Sequence, residues 1–272
     1  MPRLQLAATL WLFITCSFLS LSAPAQASND ILKKLYLKEK KAKEIPEGIT
    51  LSGEFGALTA SGNTNTTTFK AAFSSEHEMR KWSNSYHTQV IYKQNKTETS
   101  TFVSAQRFLV NAQLDYKLPS INNRLFIYAE YEDDRFNGFR YQTAVAAGYS
   151  SHAWKNKESQ FRYSIGPGYA YSEREITDAE KNKSFDVFKE IIIRASVDYN
   201  LSISKSAKFR QFMSTEAGQE TNRSRSETTL TASIIESLAM KLSFVMIYND
   251  GTLQKNEDLS TETSISMVYQ FF

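Results

Sequence analysis

"FRYSIGPGYAYSE", residues 161–173, decides the fold. Phe161, Tyr163, Ile165, Pro167, Tyr169 and Tyr171 occupy the odd positions, and Arg162, Ser164, Gly166, Gly168 and Ala170 the even ones. Alternation by two places unlike side chains on opposite faces of an extended strand. The run is also long. Strands of water-soluble domains average about 5–6 residues, whereas a tilted strand crosses a bilayer in about 9–11. One face is aromatic and aliphatic, the other small and polar, which suits lipid outside and water or packed polar groups inside.

The pattern repeats in both directions. Tyr141, Thr143, Val145, Ala147 and Tyr149 oppose Arg140, Gln142, Ala144, Ala146 and Gly148, with Phe139 at the head of the apolar stripe. Phe185, Val187, Ile191, Ile193 and Val197 oppose Asp186, Glu190, Arg194 and Asp198. The spacing predicts twelve strands, near 48–60, 64–77, 82–95, 100–117, 123–134, 138–153, 159–173, 184–201, 207–220, 225–237, 240–250 and 259–272. Longer polar connections alternate with shorter basic ones. An even strand number with long loops on one side and short turns on the other predicts an all-β fold: a closed antiparallel transmembrane β-barrel of about twelve strands. Lipid cannot satisfy open backbone groups, so the last strand, which ends in "SISMVYQFF" at 264–272, must pair with the first. Both termini then lie on the short-turn side, the periplasm.

The chain before the barrel reads differently. "MPRLQLAATLWLFITCSFLSLSAPAQA" has Arg3, an apolar stretch and an Ala25-Gln26-Ala27 cleavage site, which predicts a signal peptide over residues 1–27. Cys16, the one cysteine, falls inside it, so the exported chain is expected to carry no disulfide. Residues 28–47 form a charged periplasmic lead in which Ile31, Leu32, Leu35 and Tyr36 share one face of a short helix ended by Pro46. The formal net charge of +3 has no basic block behind it and gives no support to nucleic-acid binding.

By parity the lumen face is charged with both signs. Glu130, Glu132, Arg140, Arg162, Glu190, Arg194 and Glu216 stand out, with Glu54, Lys70, Arg107, Asp115, Asp186, Asp198 and Glu220 on the same face. Bare charges in a low-dielectric interior are costly, so these are expected to pair or to stay hydrated. The network either holds a narrow barrel together or lines a passage for small hydrophilic solutes. Glu130, Glu132 and Arg140, with Arg135 nearby, are expected to form a cross-strand ion-pair lock. The small stripe of strands six and seven either leaves a groove or makes room for Arg side chains from across the barrel. Catalysis has little support: His87 is read as inward and could serve a serine as base, but no G-x-S-x-G elbow accompanies it. No cofactor and no metal site are expected. Tyr269, Phe271 and Phe272 are read as the signal for the barrel-assembly machinery, with the apolar stripe counting back from Phe271.

Several segments together resemble a family. "GEFGALTASGNTNT" at 53–66, "AEYEDDRFNGFRYQTAVAAGYS" at 129–150, "GPGYAYSE" at 166–173 and "TETSISMVYQFF" at 261–272 resemble the salt-induced outer-membrane proteins of Gram-negative bacteria, the YdiY type, a domain of unknown function. The resemblance spans roughly Ile49 to Phe272. It implies an outer-membrane location, contact with outer-membrane lipid and lipopolysaccharide, and a link to salt or osmotic conditions. It implies no settled activity and carries over no catalytic residue. The rival expectations are a soluble periplasmic β-protein that holds an apolar ligand inside, and an outer-membrane lipid hydrolase.

Overall fold

The computed structural model describes residues 47–60, 65–96, 100–119, 122–134, 139–177, 183–250 and 259–271. The expected signal peptide, residues 28–46 of the expected charged lead, Arg135 and Phe272 lie outside them. Twelve strands follow one another: β1 (Gly48–Ala60), β2 (Asn65–Glu78), β3 (Trp82–Lys96), β4 (Thr101–Lys117), β5 (Asn123–Asp134), β6 (Phe139–Lys155), β7 (Ser159–Thr177), β8 (Lys183–Ser202), β9 (Ala207–Ala217), β10 (Asn222–Ile235), β11 (Leu238–Asp250) and β12 (Leu259–Gln270). Each pairs antiparallel with its neighbours in sequence, and β12 returns to β1 to close the barrel. Closure joins the first and last strands of the sheet through the pairs from Ser52 to Phe55.

The alternation fixes which face is which. Ile191 is 74% exposed on the outside, and Ile165, Ile193 and Ile265 share that surface. Arg194 is 2% exposed inside, among buried Glu132, Asp115 and Lys70. An inverted, water-soluble arrangement would show the opposite. Aromatic rings gather toward both rims, as at the interfaces of a membrane barrel. At the short-turn end Trp82 packs on Tyr116, Trp154 on Phe161 and Tyr199, and Tyr269 on Phe271. Toward the loop end Phe108, Tyr131, Tyr141 and Tyr171 form a continuous run of rings.

Several boundaries differ from the sequence expectation. The β7–β8 hairpin runs on to Thr177 and Lys183, beyond the expected ends at 173 and 184, because Arg174 and Asp186 stay in register and pair at 2.8 Å. β9 stops at Ala217, short of 220, and β10 begins at Asn222, ahead of 225. Gly218 makes the tight connection between them. A Cβ there would sit 2.3 Å from the Glu190 carboxylate, which accepts the N–H groups of Glu220 at 2.8 Å and Thr221 at 3.1 Å.

The seam is built from the terminal strand. The Phe271 N–H donates to the Leu51 carbonyl at 2.9 Å, and a Cβ on Gly53 would stand 3.3 Å from the Phe271 ring. The aromatic ring thus covers the bare backbone of a glycine across the seam, a pairing that shields a weak strand position.

Ile193 tests the facing of the wall. Ile193→Arg is expected to block assembly, since a lipid-facing arginine near the midplane costs about 2–4 kcal/mol. Loss of the heat-modifiable species on a gel reads it; full assembly of that variant would show that the outer face is not in hydrocarbon.

Candidate functional site

The inside of the barrel is the candidate site, and it is crossed by side chains. Glu130 and Glu132 are two apart on β5, so both point inward. Arg223 of β10 reaches them from nearly the opposite wall, with one guanidinium nitrogen 2.6 Å from Glu130 and another in contact with Glu132. The Tyr128 hydroxyl donates to Glu130 at 2.5 Å. Arg107 of β4 donates to Gln89 and to Glu262 of β12, both at 3.0 Å, and lies 3.8 Å from Glu132. Lys70 of β2 faces Glu54 at 3.3 Å and Glu262 at 3.8 Å. Asn249 of β11 donates to Gln142 of β6 at 3.1 Å. The contacts of Arg223 with Glu130 and Glu132, of Arg107 with Glu262 and of Asn249 with Gln142 join strands four or five apart and are struts across the lumen. Lys70–Glu54 and Arg107–Glu132 instead join neighbouring strands.

A second tier lies nearer the short turns. Arg162 pairs with Asp115 at 3.1 Å and approaches Asp198 at 3.9 Å, and Asp198 also accepts from Arg210 at 2.9 Å. Lys241 meets Glu54 at 2.9 Å and Glu227 at 3.9 Å, and Glu227 also takes Arg225 at 3.2 Å. Each carboxylate has a cation partner, which is what makes burying this much charge tolerable. Beneath the struts a cavity of about 400 Å³ is lined by polar groups that include Ser52, Glu54, Ser74, Arg210, Thr229 and Lys241. At its edge the Ser74 hydroxyl and the His87 Nδ1 are 2.9 Å apart. This contact faces the lumen. Among the described residues no three of His, Cys, Asp and Glu converge as metal ligands.

The small stripe on β6 and β7 has a geometric cause. A Cβ on Gly148 would meet the Ile165 carbonyl at 2.3 Å, and one on Gly166 would meet the Ala147 carbonyl at 2.2 Å. The two strands approach too closely there for any side chain. Over this low floor Tyr128 from β5 and Arg194 from β8 meet, with the guanidinium 3.5 Å from the ring centroid. The arginine over the stripe comes from β8, the strand next to β7, and not from across the barrel. Arg194 also lies 3.4 Å from Glu216.

The expected residues therefore part company. Glu130, Glu132, Arg162, Arg194 and Glu216 all point inward into charged contacts. Glu190 is inward as well, but it holds the β9–β10 connection. Glu220 is exposed beyond the end of β9 and offers Glu190 only its backbone. Arg140 is a correction. The register shifts between Phe139 and Tyr141, so one extra residue enters β6. Such a bulge reverses the parity of what precedes it. Phe139 turns inward at 2% exposure, while Arg140 turns outward, pairs with Glu173 at 2.8 Å and lies over the Phe185 ring. The expected Glu130–Glu132–Arg140 lock is instead closed by Arg223. That residue was missed because the expected β10 began at 225 and left Arg223 in a loop. Its signal was present: Arg223, Arg225 and Glu227 alternate with Ser224 and Ser226.

The profile of the family described as "Protein of unknown function, DUF481" matches residues 53–271. The chain belongs to this family. It is similar to "Uncharacterized protein YdiY" of Escherichia coli (strain K12), at 23% identity over 215 residues, which is 79% of this chain and 80% of the relative. Among solved structures it is similar to the NanC porin, at 11% identity over 82% of this chain and 98% of that one, with a TM-score of 0.44. It is also similar to the translocator domain of the autotransporter NalP from Neisseria meningitidis, at 7% identity over 84% and 90%, with a TM-score of 0.46. The DUF481 wall in this chain is an outer-membrane-type β-barrel, and its lumen is filled by the network described above.

Removing one partner of a buried pair strands the other. Arg223→Ala is expected to destabilise the barrel by about 3–5 kcal/mol, because both Glu130 and Glu132 lose their strut. Arg140→Ala, on the outer surface, should cost no more than about 1 kcal/mol. Urea unfolding of the refolded proteins measures both, and equal effects would remove Arg223 from its place in the network.

Proposed function

We propose that this protein is a non-enzymatic barrel of the Gram-negative outer membrane, with both termini in the periplasm, that stands stoppered across its own lumen. Its resting role is structural. It passes small hydrophilic solutes or ions only when the struts give way. The observation that carries this reading is the bridge from Arg223 to Glu130 and Glu132, which joins opposite walls through charges that are almost fully buried. An open porin keeps its charges on the wall, around water; here they meet in the middle. Outer-membrane lipid and lipopolysaccharide are the partners of the apolar wall between its two aromatic rims. The barrel-assembly machinery is the partner of the last strand, whose Phe271 sits against Gly53 in the seam. The link to salt or osmotic stress comes from the family resemblance.

The soluble alternative, with an apolar ligand inside, is opposed by the buried Arg194, Glu132 and Asp115 and by the exposed isoleucines. Planar-bilayer recording tests the stoppered reading. The unaltered protein should stay closed or open only briefly, and Arg223→Ser should lengthen or widen the openings. A steady conductance that the substitution leaves unchanged would show that solutes pass by a route the struts do not control.

A further inference from the structure

The twelve seams of the wall are not equal. β1 pairs with β2 along its whole length, from Gly48↔Glu78 to Ala60↔Thr66, and β12 pairs with β11 from Tyr269↔Leu238 to Leu259↔Tyr248. Between β1 and β12, however, register pairs run only from Ser52↔Gln270 to Phe55↔Met267. The two strands still touch at Gly56, where a Cβ would meet the Ile265 carbonyl at 2.9 Å. Beyond it, toward the loop end, the described residues of the two strands form no ladder. Two strand edges therefore face each other in the loop-side half of the wall, where lipid offers their N–H and C=O groups nothing.

What ties β12 across the seam in that half is a set of side chains, while its other edge stays laddered to β11. Glu262 on β12 meets Arg107 at 3.0 Å and Lys70 at 3.8 Å, and the Lys70 ammonium donates to Ser264 at 3.0 Å. Lys70 and Arg107 belong to β2 and β4, on the far side of β1, so the latch spans the weak seam from within. The other charged groups near these two cations include Glu54 at 3.3 Å from Lys70 and Glu132 at 3.8 Å from Arg107, with Asp134, Arg225 and Glu227 also around Arg107.

We infer that the loop-side half of the β1–β12 seam is a lateral entrance from the membrane to the lumen, latched by Glu262, and that it admits an amphiphile with an anionic head group. The chemistry of the latch sets the class. A carboxylate or phosphate on the incoming molecule can take the place of Glu262 against Lys70 and Arg107, while its apolar part stays in the membrane that the seam opens onto. A neutral head group can accept hydrogen bonds from the two cations but brings no negative charge in exchange. The inference goes beyond the stoppered lumen, which concerns passage along the axis, but it rests on the membrane embedding proposed above.

Cysteine pairs read the seam directly. With Cys16 replaced by Ser, the full chain would carry either Phe55→Cys with Met267→Cys, inside the ladder, or Ala57→Cys with Ile265→Cys, one step beyond it. Both pairs project outward at equivalent positions of the strand repeat. In detergent micelles, with folding checked by heat-modifiable migration, copper-catalysed cross-linking of the second pair should be at least about tenfold slower than that of the first. Glu262→Gln should slow the second pair further, as should added laurate, whereas glycerol monolaurate should not. Equal rates for the two pairs would overturn the entrance. An equal response to laurate and glycerol monolaurate, or none to either, would overturn the anionic head group. Because the measurement is made in micelles, failure of the protein to fractionate with outer membranes would sink the embedding and leave the seam result standing.

Discussion

The structure depends on one constraint: a backbone immersed in hydrocarbon must find all its hydrogen bonds within itself. A sheet meets it only by closing, and closing requires β12 to find β1. Most of the wall satisfies the rule with ladders that run the length of the strands. The seam satisfies it for Ser52–Phe55 and adds the Phe271 ring over Gly53 and the Phe271 N–H on Leu51. The chain therefore ends on an apolar strand because that strand is an interior part of the wall.

Closure creates a second problem, since every strand now has a face inside a narrow cylinder. Filling that face with apolar side chains would make a solid core; filling it with water would make a porin. This chain fills it with opposed charges, arranged so that buried carboxylates such as Glu130, Glu132, Asp115 and Asp198 meet cations. Such an arrangement contributes little net stability compared with an apolar filling, yet it is unforgiving of the loss of any single member. It also ties distant strands together, as Arg223 ties β10 to β5 and Arg107 ties β4 to β12.

The wall was legible in the sequence because period two is a local property. Strand number, facing and closure follow from stripes such as Tyr163, Ile165, Pro167 and Tyr169, each read within a few residues. The errors came where one residue breaks the count. The bulge between Phe139 and Tyr141 reversed Arg140, and the early start of β10 hid Arg223. The struts were not legible at all. Which residues meet across a lumen depends on the diameter of the barrel and on the summed stagger of a dozen registers, and no local pattern records either. The small residues of β6 and β7 show the same limit. Their sequence announced a stripe without side chains, but only the close approach at Gly148 and Gly166 explains it, and only the meeting of Tyr128 with Arg194 shows its use.

Arg223 lies 93 residues along the chain from Glu130, which has a consequence for the order in which the molecule forms. Until β10 is laid down, the carboxylates of β5 have no counter-charge from that side and must remain wet. A partly built barrel is thus a water-filled trough, and it dries only when its last quarter arrives. Long-range contacts of this kind form late and slowly. Maturation of the interior should consequently trail insertion of the wall, so that a species already resistant to extraction from the membrane would still exchange its inner water freely.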